Sequence, residues 1–324
     1  MSVNNRKHGV FSVKPTENFK VRSRKKNHDG ITIEQALNVI FRQMELSGRR
    51  ERTIQSYEYI FNDFATAVSI DYVNEINAEK IYEYLAHCDV QPATKLIRLK
   101  TIKAVLSRFR DNRWIEHNFW KNIHVIVDKH IKQGADENDI EVLLTLIDKT
   151  TFIGFRDAVA ILTLYKTGVR IRTLGELRER HINFDDMTIN LDGDIMKNHD
   201  MLILPIDDQL ADAFRMLIEQ NNKIRRNYNK RNDFIFITQN GIGVNQGASN
   251  SNAISKQLTK YAERYGLRNI NAHALRRAFA KNLLNRGANI ALISKALGHS
   301  SLGVTTQYLQ FDAEEVAEGL RDYL

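Results

Sequence analysis

The chain has a single cysteine, Cys88, among 324 residues, so no internal disulfide can close. That usage implies a reducing, cytoplasmic setting. Prolines number only three, which leaves long stretches free of the residue that most reliably interrupts a helix. The longest mostly apolar run, Ala158 to Tyr165, falls far short of the ~20 residues a membrane-spanning helix needs. The start of the chain is polar and basic and has no apolar signal core. No Cys/His spacing suits a metal, and the adjacent His87 and Cys88 read as structural. Gly241 and Gly243 form a G-x-G without the third glycine that opens a helix, so a dinucleotide fingerprint is excluded. No cofactor and no membrane partner are expected.

What is present is charge and helical periodicity. The formal net charge is +8, and residues 1–30 hold eight Lys/Arg, among them Arg22, Arg24, Lys25 and Lys26, against Glu17 and Asp29. Such an arm suits a polyanion such as DNA, and it equally suits a solvated tail. Residues 31–127 read as a helical domain. Thr32 with Gln35 is a capping box ahead of Ile33, Leu37, Ile40, Phe41 and Met44. A second helix carries Ile54, Tyr57, Ile60, Phe61 and Phe64. A third, capped by Asn77, carries Ile81, Tyr84 and Leu85. The fourth, Ala93 to Arg110, buries Leu96, Leu99, Ile102, Val105, Leu106 and Phe109. Its basic residues, including Lys95, Arg98, Lys100 and Lys103, are expected on the opposite face as a phosphate-binding surface. Residues 128–140 are polar and read as an interdomain linker.

The second domain, 141–324, opens with helices over Ile140–Ile147 and Phe152–Tyr165. Thr167 and Gly168 stop the latter just before Arg170. Strands are expected at Met187–Leu191 and Met201–Pro205, flanking a turn with Lys197, and again at Phe234–Thr238. Between them lie a helix, Ala211–Gln220, and a basic loop, 221–233, containing Arg225 and Arg226. Helix follows from Ala253 to Tyr265. The stretch from His273 to Tyr308 then reads as three short helices broken at Gly287, Gly298 and Ser300–Ser301. His273 and Arg276, three apart, share one helical face.

The array H-A-L-R at 273–276, L-G-H-S-S at 297–301 and T-T-Q-Y at 305–308, with nine residues from His299 to Tyr308, resembles the tyrosine recombinases, the family of phage integrases and Xer-type resolvases. T-G-V-R-I around Arg170 resembles that family's first-arginine motif, and Lys197 stands eight residues before Pro205, where the family places its hairpin lysine. The resemblance implies a mainly α fold with a small β-sheet (α+β): a helical, SAM-like core-binding domain and a catalytic domain, joined by a linker that lets them close around duplex DNA. It implies that Arg170, Lys197, His273, Arg276, His299 and the nucleophile Tyr308 surround one phosphodiester. It also implies a homo-oligomer on DNA, with the tail after Tyr308 (Val316, Leu320 and Leu324 at helical spacing) docking into a neighbour or onto its own domain. The chain departs from the family at Thr173, where an acidic residue is usual, at Arg172, and in the hairpin, where His199, Asp200, Met201 and Leu202 follow the lysine. Two functions are compatible with this array: a site-specific recombinase, or a non-catalytic DNA-binding regulator on the same fold.

Overall fold

The computed structural model describes residues 30–128, 132–196, 200–246, 252–299 and 301–309, with the side chains of Gln307 and Tyr308 left out. The basic residues Arg22, Arg24, Lys25 and Lys26, the hairpin residue Lys197 and the tail helix therefore lie outside the described residues. The chain divides into two compact units, Met1–Lys129 and His130–Leu324.

In the first unit, α1 (Ile33–Leu46), α2 (Glu51–Ala67), α3 (Ala78–His87) and α4 (Pro92–Asp111) close on one core. The capping box at α1 is formed: the Thr32 hydroxyl accepts from Gln35 N–H and the Gln35 side chain accepts from Thr32 N–H, each at 3.2 Å. Phe61 meets Phe64 and Phe109 edge-on at 5.5 and 5.4 Å, a geometry that adds ~1 kcal/mol per pair beyond burial alone.

The basic face expected on α4 is not one face. At 100° per residue, Arg98 falls on the same stripe as Ile102, Val105 and Phe109, which are fully buried. Its guanidinium turns into the unit and donates to Asp63 Oδ2 (2.8 Å), Tyr84 Oη (2.9 Å) and Cys88 Sγ (3.3 Å). Tyr84 also donates to Asp63 at 2.6 Å. Burial and that carboxylate push the Tyr84 phenol well above its usual range. Lys103 donates to the Lys121 carbonyl at 3.1 Å, and burial lowers its pKa. Arg98 and Lys103 thus hold the unit together. Lys95 is half-buried, and Lys100 is exposed.

The second unit contains α5 (Glu137–Leu146), α6 (Phe152–Thr167), α7 (Ile171–Glu176), α8 (Asp208–Asn227), α9 (Ala253–Tyr265), α10 (Ala272–Asn285), α11 (Ile290–Ala296) and α12 (Leu302–Tyr308). A small antiparallel sheet, order β1-β2-β3, joins β1 (Ile182–Asn183), β2 (Thr188–Leu191) and β3 (Leu202–Pro205), with Ile189 opposite Leu204 and Leu191 opposite Leu202. The mainly α architecture with a small sheet is as the sequence predicts. Helix α6 lies at the centre, packed against α8, α9 and α10. Its Arg156 and Asp157 are both buried and paired at 2.6 Å. Arg156 also donates to Ile237 O, and Tyr261 donates to Asp157. Satisfying every charge in this way is what makes a buried pair tolerable.

Four expectations change. Residues 234–238 form only isolated bridges, Arg178 with Phe234 and Ile237 with Gly243, rather than a strand of the sheet. Residues 221–227 extend α8 instead of forming a loop. Arg225 is buried there, donating to Glu179 and to Phe234 O, so it braces the fold; Arg226 is exposed and donates to Asn222 O. In place of a connection up to residue 140, residues 133–136 dock on α10 and the segment before it: Ala135 N–H donates to Ala274 O, and Gln133 O accepts from Arg277 on the helix and from Asn269 ahead of it. Among the described residues, no helix is long and apolar enough to cross a membrane.

Candidate active site

Helix α10 starts under the Asn271 cap, whose side chain accepts from Ala274 N–H. That start sets the phase of His273 and Arg276 on one face, one turn apart. Leu275 and Ala278 on the other side are buried in the core. Arg276 is itself buried. Its Nη1 donates to Gly168 O, and its Nη2 donates to Leu297 O (2.5 Å) and to His299 Nε2 (3.1 Å).

Each acceptor is presented by a helix end. Gly168 closes α6 at φ +62°, a left-handed conformation that L side chains rarely adopt, and a Cβ there would meet the Phe279 ring at 2.2 Å. Leu297 caps α11. The next residue, Gly298 (φ +56°), offers its carbonyl to Nη2 of Arg170 at 3.2 Å. Arg170 stands immediately before α7, half-buried. Both guanidiniums are therefore oriented by one turn, 297–298.

His299 continues that turn. Its Nδ1 lies 2.9 Å from the hydroxyl of Thr305, which is completely buried on α12. Burial first, then Arg276 and Arg170, lower the His299 pKa from 6.5 to about 4. His273 is also lowered, by burial and then by Arg277, Arg276, Lys132 and Arg170. Two neutral imidazoles and two permanent cations make a cluster complementary to an anion, and both rings are neutral near pH 7.

An unfolded His299 binds a proton below about pH 6.5, whereas the folded one does so only near pH 4. The unfolded state therefore gains on the folded one as pH falls through that window, and stability declines. Melting temperature measured from pH 7 to 4 should fall, and His299→Gln should flatten part of that slope; an identical slope would show that His299 is not buried beside the arginines.

The structure brings together Arg170, His273, Arg276 and His299. Tyr308 is the last residue of α12. Lys197 follows directly on a described stem. Thr173, buried, donates to Ile195 O at 3.3 Å, and the Met196 methyl lies 3.0 Å from where a Cβ on Gly298 would sit. At the base of the same hairpin, buried His181 accepts from Arg178 N–H through Nδ1 and faces Asp192 at 3.2 Å through Nε2. Sequence reasoning marks Thr173 only as a departure from the family pattern and does not mark His181 or Thr305 as site residues. The only hint for Thr305 was its place in the T-T-Q-Y run; nothing in the sequence pairs it with His299.

The chain matches the model of the phage integrase family over residues 135–315, more than half its length. It is similar to the tyrosine recombinase XerD of Chlamydia trachomatis, 26% identical over 282 residues that cover 84% of this chain and 89% of the relative. It is also similar to the tyrosine recombinase XerC of Staphylococcus aureus, 23% identical over 278 residues, covering 85% and 89%. Among solved structures, the Tn1549 transposon integrase in complex with a circular intermediate DNA shares the fold at TM-score 0.70 and 16% identity, covering 89% of this chain and 99% of that one. The XerH site-specific recombinase bound to palindromic difH substrate, a post-cleavage complex, shares it at TM-score 0.65 and 21% identity, covering 88% and 83%.

Proposed function

The chain belongs to the phage integrase family, and from that premise we propose that it is a site-specific DNA recombinase acting through a 3′-phosphotyrosine intermediate. The observation that carries the reading is the convergence of Arg170, Arg276 and His299 on one turn, with His273 within electrostatic reach of both arginines. Two guanidiniums match the oxygens of a phosphodiester and stabilise the extra charge of its pentavalent transition state. Tyr308 attacks phosphorus through its phenolic oxygen. A phenol of pKa ~10 must lose its proton as it attacks, and neutral His273 is the base that takes it. The bond to the 5′-oxygen breaks, and Lys197 supplies that oxygen's proton. His299 donates to the same phosphate. The tyrosyl phosphodiester keeps the energy of the broken bond, so rejoining to another strand needs no nucleotide triphosphate.

The partner in this reading is duplex DNA, engaged by a homo-oligomer. The solved complexes of the Tn1549 transposon integrase with a circular intermediate DNA and of XerH with palindromic difH substrate support the DNA partner. The test is a nicked suicide duplex carrying the site recovered by genomic pull-down and footprinting. The expected result is a detergent-resistant protein–DNA adduct. Tight, site-selective retention without any adduct would overturn the recombinase reading in favour of a DNA-binding regulator.

The arm gives a second expected outcome. Residues 1–30 carry eight cationic side chains, so affinity should fall steeply with salt, and removing residues 1–30 should flatten the log–log slope by several units. Equal slopes in a filter-binding titration would remove the arm from the DNA interface.

A further inference from the structure

His299 lies between one partner of fixed polarity and one of variable polarity. Its Nε2 is 3.1 Å from Nη2 of Arg276, and its Nδ1 is 2.9 Å from Oγ1 of Thr305. A guanidinium carries donors only. Nε2 is therefore the acceptor, the single ring proton sits on Nδ1, and the Thr305 hydroxyl accepts it. The ring is neutral because burial and the two arginines oppose a second proton.

The non-bridging oxygens of a phosphodiester only accept. In the tautomer above, His299 presents such an oxygen with a lone pair. A neutral ring donates from Nε2 only when its proton resides there, and then Nδ1 needs a donor of its own. A hydroxyl supplies one by rotating about its C–O bond, without moving a heavy atom. The Thr305 hydroxyl, completely buried and 2.9 Å from Nδ1, stands in place to do this.

We propose that Thr305 is a positioning residue that sets the tautomer of His299, and that an oxyanion seated against Arg170 and Arg276 moves the ring proton from Nδ1 to Nε2 as the Thr305 hydroxyl turns from acceptor to donor. One proton leaves Nδ1 and one arrives at Nε2 by exchange with water, and the hydrogen bond from Arg276 to Nε2 breaks as the oxyanion takes both the guanidinium donor and the new Nε2–H, so the charge of the protein groups is unchanged. Thr305 lies on α12 three residues before Tyr308. The hydroxyl that selects the tautomer therefore also ties the nucleophile's helix to the ring. The inference rests on the reading that the two arginines hold a phosphate.

The experiment uses the full chain with nitrogen-15 in histidine and arginine, and inorganic sulfate, an oxyanion that only accepts. One-bond nitrogen–proton coupling reports which ring nitrogen of His299 is protonated, with His299→Gln assigning the signal. Without sulfate the proton is expected on Nδ1. At saturating sulfate it is expected on Nε2 in the wild type and in Thr305→Ser, which keeps the hydroxyl. Thr305→Val should keep the Nδ1 proton and bind sulfate roughly tenfold more weakly, the worth of one hydrogen bond. An Nε2 proton in the free protein, or a tautomer that stays put while the guanidinium signals respond to sulfate, overturns the proposal. So does a valine variant that behaves as wild type. If the valine variant does not fold, the wild-type and serine proteins decide the question alone. If sulfate leaves the Arg170 and Arg276 signals unmoved, it is the phosphate reading that fails, a result distinct from an unmoved tautomer.

Discussion

Tyr308→Phe is expected to remove the covalent adduct, lowering strand cleavage by at least ~10⁴-fold, the scale seen when a nucleophile is deleted. The phenylalanine lacks only the phenolic oxygen, so helix α12 and its Thr305 anchor are kept. Retention of the duplex should be unchanged, because affinity for a phosphate backbone arises from many distributed cationic contacts. Gel shift and denaturing electrophoresis on the same sample separate the two quantities. An adduct that survives the substitution would move the nucleophile to another residue.

Arg276 should show two losses at once. In Arg276→Ala the carbonyls of Gly168 and Leu297 and the Nε2 of His299 lose their donor inside the protein. Unsatisfied buried acceptors cost ~1–3 kcal/mol each, so destabilisation of about 3 kcal/mol or more is expected in chemical denaturation. Arg276→Lys keeps the charge but replaces a planar fork by a point donor that cannot reach acceptors on two separate helix ends together. Cleavage in single turnover should then fall by about 10²–10³-fold, the effect of removing a preorganised donor from a developing anion. Lysine at 276 with normal cleavage would show that the fork geometry is dispensable.

How far the sequence foretold this site depends on what each residue's role requires. Apolar periodicity marked the core stripes of α1, α2 and α4, because burial repeats with the helix. The spacing of His273 and Arg276 placed them on one face. Arg98 is expected at solvent because charge alone suggests it, while the Asp63 carboxylate that pairs with it and the Tyr84 hydroxyl that accepts from it are 35 and 14 residues away. The polar stretch 133–136 looked like a connection because its packing on α10 uses backbone carbonyls and a close glycine, neither of which has a composition signature. Thr305 was invisible as a site residue for the same reason: a hydroxyl means little until the imidazole opposite it is known. Strand β1, two residues long, gives no alternation to detect.

The turn that joins Leu297 to Gly298 has a corollary for how the site assembles. Successive carbonyls of that turn anchor one guanidinium each. A rotation of those two peptide planes would break one hydrogen bond to Arg170 and one to Arg276 together, while Gly168 O would still hold Arg276. Arg170→Ala and Arg276→Ala should accordingly be sub-additive in a thermodynamic cycle, since both remove a donor from the same turn.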